Sequence, residues 1–239
     1  MPGQPIQTFV INLARRPDRR ARMEAVLPPC LAPRFTTLWS GPVDGITLVP
    51  ERLDGIRLFP GWMILSSNVW WSRPLKKGEV ACAISHWLCW NRAHEEGATA
   101  ALILEDDTVF ADDFGRRLRG TLQQLDQLDP GWGLCYLGRV PLEPDRPFAA
   151  GLVRPGYSHC TYAYLLSRIG LGAVLAAGYD QAVIPVDEFL PALYIDHPRE
   201  DVRARFPRRL TAYAMSPSVV GQLPKTEAGS DTEDSDFIA

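Results

Sequence analysis

The run Ala100-Ala101-Leu102-Ile103-Leu104 stops abruptly at Glu105-Asp106-Asp107. A short continuous apolar run of this kind reads as a buried strand. Three carboxylates at its end fix several hard oxygen ligands at one sheet edge, which suits a cation such as Mn²⁺ or Mg²⁺. A cation held by oxygen ligands commonly serves to bind a substrate's phosphates. The plain alternative is a solvated turn with excess charge, so the surroundings have to decide.

The surroundings alternate between strand and helix. Residues 8–13 read as a second buried strand, and Pro17 opens a helix with Asp18 in its first turn. A strand over 34–40 follows. Residues 45–77, rich in Pro, Gly and Trp, form a long ordered excursion. The clearest helix runs from Gly78-Glu79 to about Glu96, has Val80, Ala83, Ile84, Trp87, Leu88 and Trp90 on its buried face, and is closed by Gly97. Beyond the acidic triplet the pattern predicts a helix over 112–128, strands over 133–137 and 160–166, a helix over 167–177, and weaker strands over 211–215 and 219–222. This order points to one α/β domain spanning 1–239, with a mostly parallel central sheet flanked by helices. Ligands of such sheets bind beyond the carboxyl ends of the strands, where the triplet stands. Residues 225–239 are acidic and poor in apolar side chains, so local disorder is their default expectation.

Composition removes several classes of function. A net charge of −3 gives no electrostatic case for nucleic acid or an anionic membrane. No apolar run is long enough to span a bilayer, and the start, Met1-Pro2-Gly3-Gln4-Pro5, has no secretory apolar region, so a cytoplasmic protein is expected. The five cysteines are scattered without a Cys-x-x-Cys pair, which favours reduced thiols, with Cys82 and Cys89 both towards the core of their helix. No phosphate loop, dinucleotide fingerprint or nucleophile elbow is present.

Two further groups carry chemistry. Arg15, Arg16, Arg19, Arg20 and Arg22 crowd the start of the first helix, where positive charge opposes the macrodipole. A bound diphosphate would offset that cost, and Arg15 and Arg19 lie nearest the strand end. Asp187-Glu188 follows the apolar stretch 182–186. It offers either a carboxylate poised as a general base or a helix cap at Asp187. His86, a lone histidine on an apolar helix face, reads more readily as a hydrogen-bonded core residue than as a functional one.

Taken in order, Val10-Ile11-Asn12-Leu13-Ala14-Arg15-Arg16-Pro17-Asp18-Arg19, Val43-Asp44-Gly45, Gly78-Glu79-Val80-Ala81-Cys82-Ala83-Ile84-Ser85-His86, Leu102-Ile103-Leu104-Glu105-Asp106-Asp107 and Pro185-Val186-Asp187-Glu188-Phe189-Leu190 resemble glycosyltransferase family 25. Thr161-Tyr162-Ala163-Tyr164, His197-Pro198 and Ser230-Asp231-Thr232-Glu233 resemble its collagen hydroxylysine galactosyltransferase branch. The resemblance implies a GT-A-like fold, a UDP-sugar donor, a Mn²⁺-type (or Mg²⁺) cofactor and inversion at the anomeric carbon. It implies Glu105, Asp107 and Asp231 as metal ligands, and Asn12, Arg15, Arg19, Asp44, Ser85, His86, Asp106 and Ser230 as donor contacts. Asp187 or Glu188 would then be the base that deprotonates the acceptor hydroxyl. Among donors UDP-galactose leads and UDP-glucose is the nearest rival. The acceptor hydroxyl belongs to a glycan, a hydroxylysine-type peptide or a small molecule. The alternative from another class is a non-catalytic nucleotide-sugar-binding protein with a degenerate site. The resemblance also makes the tail a segment that orders over the donor.

Overall fold

The computed structural model describes residues 6–38 and 43–238. In chain order its elements begin with β1 (Gln7–Ile11), α1 (Pro17–Val26), β2 (Pro33–Phe35), α2 (Lys77–Glu95), β3 (Ala100–Glu105), β4 (Thr108–Phe110), α3 (Phe114–Leu128) and β5 (Leu134–Pro141). They continue with β6 (Arg146–Ala149), β7 (Leu152–Arg154), β8 (Ser158–Ser167), α4 (Arg168–Ala176), α5 (Val186–Ala192), α6 (Glu200–Arg205), β9 (Ala212–Met215), β10 (Val220–Gln222) and α7 (Lys225–Ala228).

Eight strands make one sheet in the order β2-β1-β3-β8-β5-β9-β7-β6, and β4 pairs with β10 beside it. β1 runs parallel to β2 and β3, whereas β8 is antiparallel to both its neighbours, β3 and β5. The α/β class stands, but the sheet is mixed rather than mostly parallel. The reason is local: only the β6–β7 hairpin separates β5 from β8, so no helical crossover returns the chain in the parallel sense. That hairpin, charged and carrying Pro147, had no strand-like pattern in the sequence and sits at the sheet edge where Pro is tolerated.

Both faces of the sheet are covered. Ala101 and Ile103 of β3 pack with Val80 and Ile84 of α2, Leu171 of α4 and Phe189 of α5. The alternate residues Leu102 and Leu104 pack with Met23 of α1 and Leu118 and Leu125 of α3. A strand buried on both sides has no polar face to show, which explains the unbroken apolar run. Each such large side chain contributes about 1.5–3 kcal/mol by leaving water.

The sheet also decides where the polar residues gather. Ile11 of β1 pairs with Glu105 of β3, so Asn12 and Asp106 leave the same edge side by side. α1 starts from that edge, and so does α2, whose first turn is fixed by Glu79: its Oε2 accepts from the Lys76 backbone N–H at 2.7 Å. α2 ends at Gly97, where φ is +70°, a conformation glycine adopts without penalty.

Several sequence expectations shift. The strand over 34–40 is three residues long and turns into a 3-10 segment over Thr36–Leu38, while 39 and 40 lie outside the described residues. α3 begins two residues later than the pattern suggested. Asp187 and Glu188 sit neither at a strand end nor at a helix cap: they occupy the first turn of α5, whose cap position is Pro185. Asp44 lies in a turn, its carbonyl accepting from Thr47 N–H at 3.1 Å. Cys89 is in the core, but Cys82, one turn from His86, is half-buried on the wall of the site.

Candidate active site

Two clefts open at the carboxyl edge of β1 and β3, sharing Cys82 and Thr232 as walls. The first is lined by Asn12, Arg19, Gly45, Gly78, Ser85, Glu105, Asp106 and Asp231. Trp62, Trp70, Glu79, His159, Cys160, Asp187, Glu188, Lys225 and Glu233 line the second, of about 220 Å³. Of the donor contacts expected from sequence, Asn12, Arg19, Ser85 and Asp106 thus line the first cleft, while Arg15, Asp44, His86 and Ser230 do not; both base candidates line the second.

The three carboxylates of the triplet have three different situations. Asp106 is tied down: Asn12 Nδ2 donates to its Oδ2 at 2.7 Å and Arg19 to its Oδ1 at 2.8 Å. Burial still pushes its pKa up, against the Arg19 charge and these bonds. Glu105 has no bonded cation; burial, then the charges of Asp187 and Asp106, raise its pKa to about 8. Asp107 is raised to about 7, by burial first and by Glu105 and Asp106 next. Its Oδ2 accepts from Gln222 Nε2 at 3.0 Å, while its Oδ1 is buried with no partner among the described residues. Two repelling carboxylates and an orphaned oxygen are the donor set a hard divalent cation satisfies. Among the described residues one His/Cys/carboxylate group brings its ligand atoms within 4.8 Å of one another: Cys82, His86 and Glu105. The Cys82 thiol, raised well above its ordinary pKa by burial and by Glu105, stays protonated there.

The arginines face this edge with the C-terminal tail laid across them. Arg15 pairs with Asp44 at 2.8 Å and Asp231 at 2.5 Å, Arg16 with Asp231 at 2.7 Å, and Arg19 reaches Asp231 at 3.5 Å as well as Asp106. Arg16, one of the crowded five but not preferred from sequence, thus belongs to the cluster as firmly as Arg15 and Arg19. Asp231, expected as a metal ligand, lies among guanidinium groups. Ser230 Oγ accepts from Glu233 N–H at 3.1 Å and shapes the turn. Further along, Ser235 Oγ accepts from Gly78 N–H at 2.8 Å and Ile238 N–H donates to Leu75 O at 2.8 Å. Gly78 admits this packing because a Cβ there would lie 2.7 Å from Thr232 Cα. Ser85 turns its hydroxyl onto Ala81 O at 2.9 Å, within the helix.

In the second cleft the acidic pair divides. Glu188 is 2% exposed and accepts from Trp71 Nε1 at 2.9 Å, Tyr157 OH at 2.6 Å and His197 Nε2 at 2.8 Å. Burial alone would raise its pKa, but hydrogen bonds from His159, His197 and Tyr157 outweigh it and hold the carboxyl below its usual range. Asp187 is half-buried; Thr161 N–H at 2.9 Å and Thr161 Oγ at 2.8 Å both bind its Oδ1, and Oδ2 has no partner among the described residues. Beside Thr161, Cys160 has φ +61°, an uncommon backbone for a residue with a side chain. Sequence offered no signal for Tyr157 and marked Thr161 only within a motif; their bonding roles, like that of Trp71, arise from contacts 26 to 117 residues away.

Residues 63–131 match the model of glycosyltransferase family 25 (LPS biosynthesis protein). The chain is 37% identical over 247 residues to the rat probable inactive glycosyltransferase 25 family member 3, covering 96% of this chain and 41% of that protein. It is 36% identical over 223 residues to zebrafish procollagen galactosyltransferase 1, covering 90% of this chain and 36% of that protein. A glycosyltransferase involved in glycosylating the major capsid of PBCV-1 aligns over 90% of this chain and 95% of that one, with a TM-score of 0.41 at 7% identity. The chain belongs to glycosyltransferase family 25. It spans about two fifths of the length of the curated relatives it matches. The α/β class expected from the sequence stands, built on the mixed sheet described above.

Proposed function

We propose that this chain is a catalytically competent, metal-dependent, inverting glycosyltransferase that moves galactose from UDP-galactose to a hydroxyl acceptor. The observation that supports this most is the division of the site into two mutually repelling carboxylates, Glu105 and Asp107, the latter with one buried oxygen that has no partner among the described residues, and a separate carboxylate, Asp187, with one oxygen free at the neighbouring cleft. Relatives named inactive and relatives named galactosyltransferases are equally similar to the chain, so identity alone does not choose between them.

Glu105 and Asp107 would hold a Mn²⁺ or Mg²⁺ ion, whose charge offsets the donor's diphosphate and the departing UDP. Arg15, Arg16 and Arg19 bind the phosphate oxygens, the task for which forked guanidinium donors are suited. Asn12 and Arg19 each bind one oxygen of Asp106 and hold it in place, so that it orients the cluster rather than facing the nucleotide. Inversion requires a single in-line displacement, with a base to take the acceptor's proton as it attacks. Asp187 Oδ2 takes that proton, and Thr161 fixes the other oxygen. Glu188, bound by Trp71, Tyr157 and His197 with His159 beside it, organises these side chains behind the acceptor cleft. The tail contact is part of the same reading. The first cleft, about 80 Å³, is below the ~300–1,000 Å³ of sites for larger organic ligands. Asp231 and Thr232 therefore move when a nucleotide sugar enters.

The test is calorimetric titration with UDP in Mn²⁺ and again in EDTA, followed by hydrolysis assays with UDP-galactose and UDP-glucose. Metal-dependent UDP binding with galactose release is the expected result. Binding without turnover of any donor would establish the degenerate, non-catalytic alternative, and faster release of glucose would transfer the assignment to UDP-glucose.

A further inference from the structure

His86 is fully buried, and two atoms define what its ring can do. Nδ1 lies 2.7 Å from Tyr164 Oη, and that same oxygen receives a hydrogen bond from Trp90 Nε1 at 2.8 Å. Nε2 is buried without a hydrogen-bond partner and faces Glu105 Oε1 at 3.6 Å. Indole nitrogen is only ever a donor, so Tyr164 Oη accepts from Trp90 and must place its own proton elsewhere. His86 Nδ1 is the acceptor at hand. If Nδ1 carried a proton instead, the buried Tyr164 hydroxyl hydrogen would be left unsatisfied, which is costly in a dry core. The hydrogen-bond accounting therefore puts the His86 proton on Nε2, pointing at Glu105.

We infer that His86 is a positioning residue for Glu105, held in its Nε2–H tautomer by the chain Trp90–Tyr164–His86. This rests on Glu105 being a cation ligand, and goes beyond it by assigning the group that orients that ligand. With its proton on Nε2, His86 donates to Oε1 and leaves the second oxygen of Glu105 for the ion. At 3.6 Å the two atoms stand just beyond hydrogen-bond distance here, and the bond forms when the carboxylate ionises around a bound ion, as contacts in ligand-free sites commonly tighten. The same tautomer removes His86 from the cluster it forms with Cys82 and Glu105, because a protonated Nε2 has no lone pair to give a metal. A partner that fixes the orientation of a metal ligand typically governs 10- to 100-fold of metal affinity.

The experiment uses the whole chain with ¹⁵N-labelled histidine, Mg²⁺ as a diamagnetic probe, and long-range ¹H–¹⁵N correlation spectra. His86 is expected as the neutral Nε2–H form, and it should keep that proton when Mg²⁺ is added. Tyr164→Phe, which removes the hydroxyl that donates to Nδ1, should shift the Nδ1 resonance towards that of an unbonded ring nitrogen. Calorimetry supplies the second readout: His86→Leu should weaken Mg²⁺ binding about 10-fold, while His86→Gln, which keeps an N–H donor, should restore much of it. Far-UV circular dichroism of both variants should match the wild type, which shows that they are folded. An Nδ1–H ring in the wild-type protein, or loss of the Nε2 proton on adding Mg²⁺, overturns the assignment. So does unchanged Mg²⁺ affinity in His86→Leu when Glu105→Gln has lost it. If Glu105→Gln itself binds Mg²⁺ like wild type, the cation-site reading fails first, and the inference with it.

Discussion

Asp187 and Glu188 share the first turn of α5 but not an environment: one is bound by Thr161 through a single oxygen, the other accepts hydrogen bonds from Trp71, Tyr157 and His197. Adjacent residues on a helix point about 100° apart, so one can line a cleft while its neighbour enters the wall. A free carboxylate oxygen can accept a proton from a substrate; a carboxylate whose lone pairs are taken cannot. The two acids therefore separate by test.

Asp187→Asn should leave metal-dependent UDP affinity intact and lower transfer by about 10²–10⁴-fold. Glu188→Gln should act mainly on stability. Its new amide hydrogens would face donors, with a cost of about 2 kcal/mol for the buried group left unsatisfied. A lower urea midpoint at unchanged m would record it. Equal loss of transfer with unchanged stability in Glu188→Gln would make it the base instead.

The acidic pair predicts an unusual pH dependence. Glu105 and Asp107 have folded pKa values of about 8 and 7, above those of an unfolded chain. Between pH 6.5 and 8 the folded state holds more of their protons, so metal-free stability should fall as pH rises. His86, lowered to about 4 by burial, works against this slope near pH 6.5, where an unfolded imidazole is still half protonated, and drops out towards pH 8, where both states are neutral. Melting in EDTA should show the decline, Asp107→Asn should flatten it, and Mn²⁺ should stabilise more at pH 8 than at 6.5. A slope that survives in Glu105→Gln and Asp107→Asn alike would assign it to other groups.

Asp231 is the counter-charge of the arginine cluster when no nucleotide is bound. Partly exposed pairs contribute about 0.2–1 kcal/mol each. Asp231→Asn should therefore tighten metal-free UDP binding about fivefold, about 1 kcal/mol on the affinity scale. Titration in EDTA reads it directly. A weaker affinity would make Asp231 one of the nucleotide's own ligands.

Gly78 controls whether the tail can dock. Ala at this position suits the helix better than Gly by about 1 kcal/mol, yet its Cβ would meet the Thr232 backbone. Gly78→Ala should keep the fold and release the tail, seen as faster cleavage after Glu233 by a glutamate-specific protease. Unchanged cleavage would mean that the tail shifts as a unit without leaving.

The amino-acid sequence determined the strand that carries the triplet, the long helix α2 and the α/β class, because apolar periodicity and capping are local signals. Motif order named the family for the same reason. It also pointed to the arginines, since like charges at a helix start are conspicuous. The sense of β8 and the presence of the β6–β7 hairpin were not legible, because pairing direction depends on how the chain returns rather than on any strand's own residues. Which carboxylate is free and which is bound was decided by Thr161, Asn12 and Tyr157, brought in from distant elements. The same holds for His86: Tyr164 comes to it from 78 residues along the chain, on the strand next to β3. Hydrogen-bond partners inside a core are set by packing between elements, and only the tertiary structure contains that information.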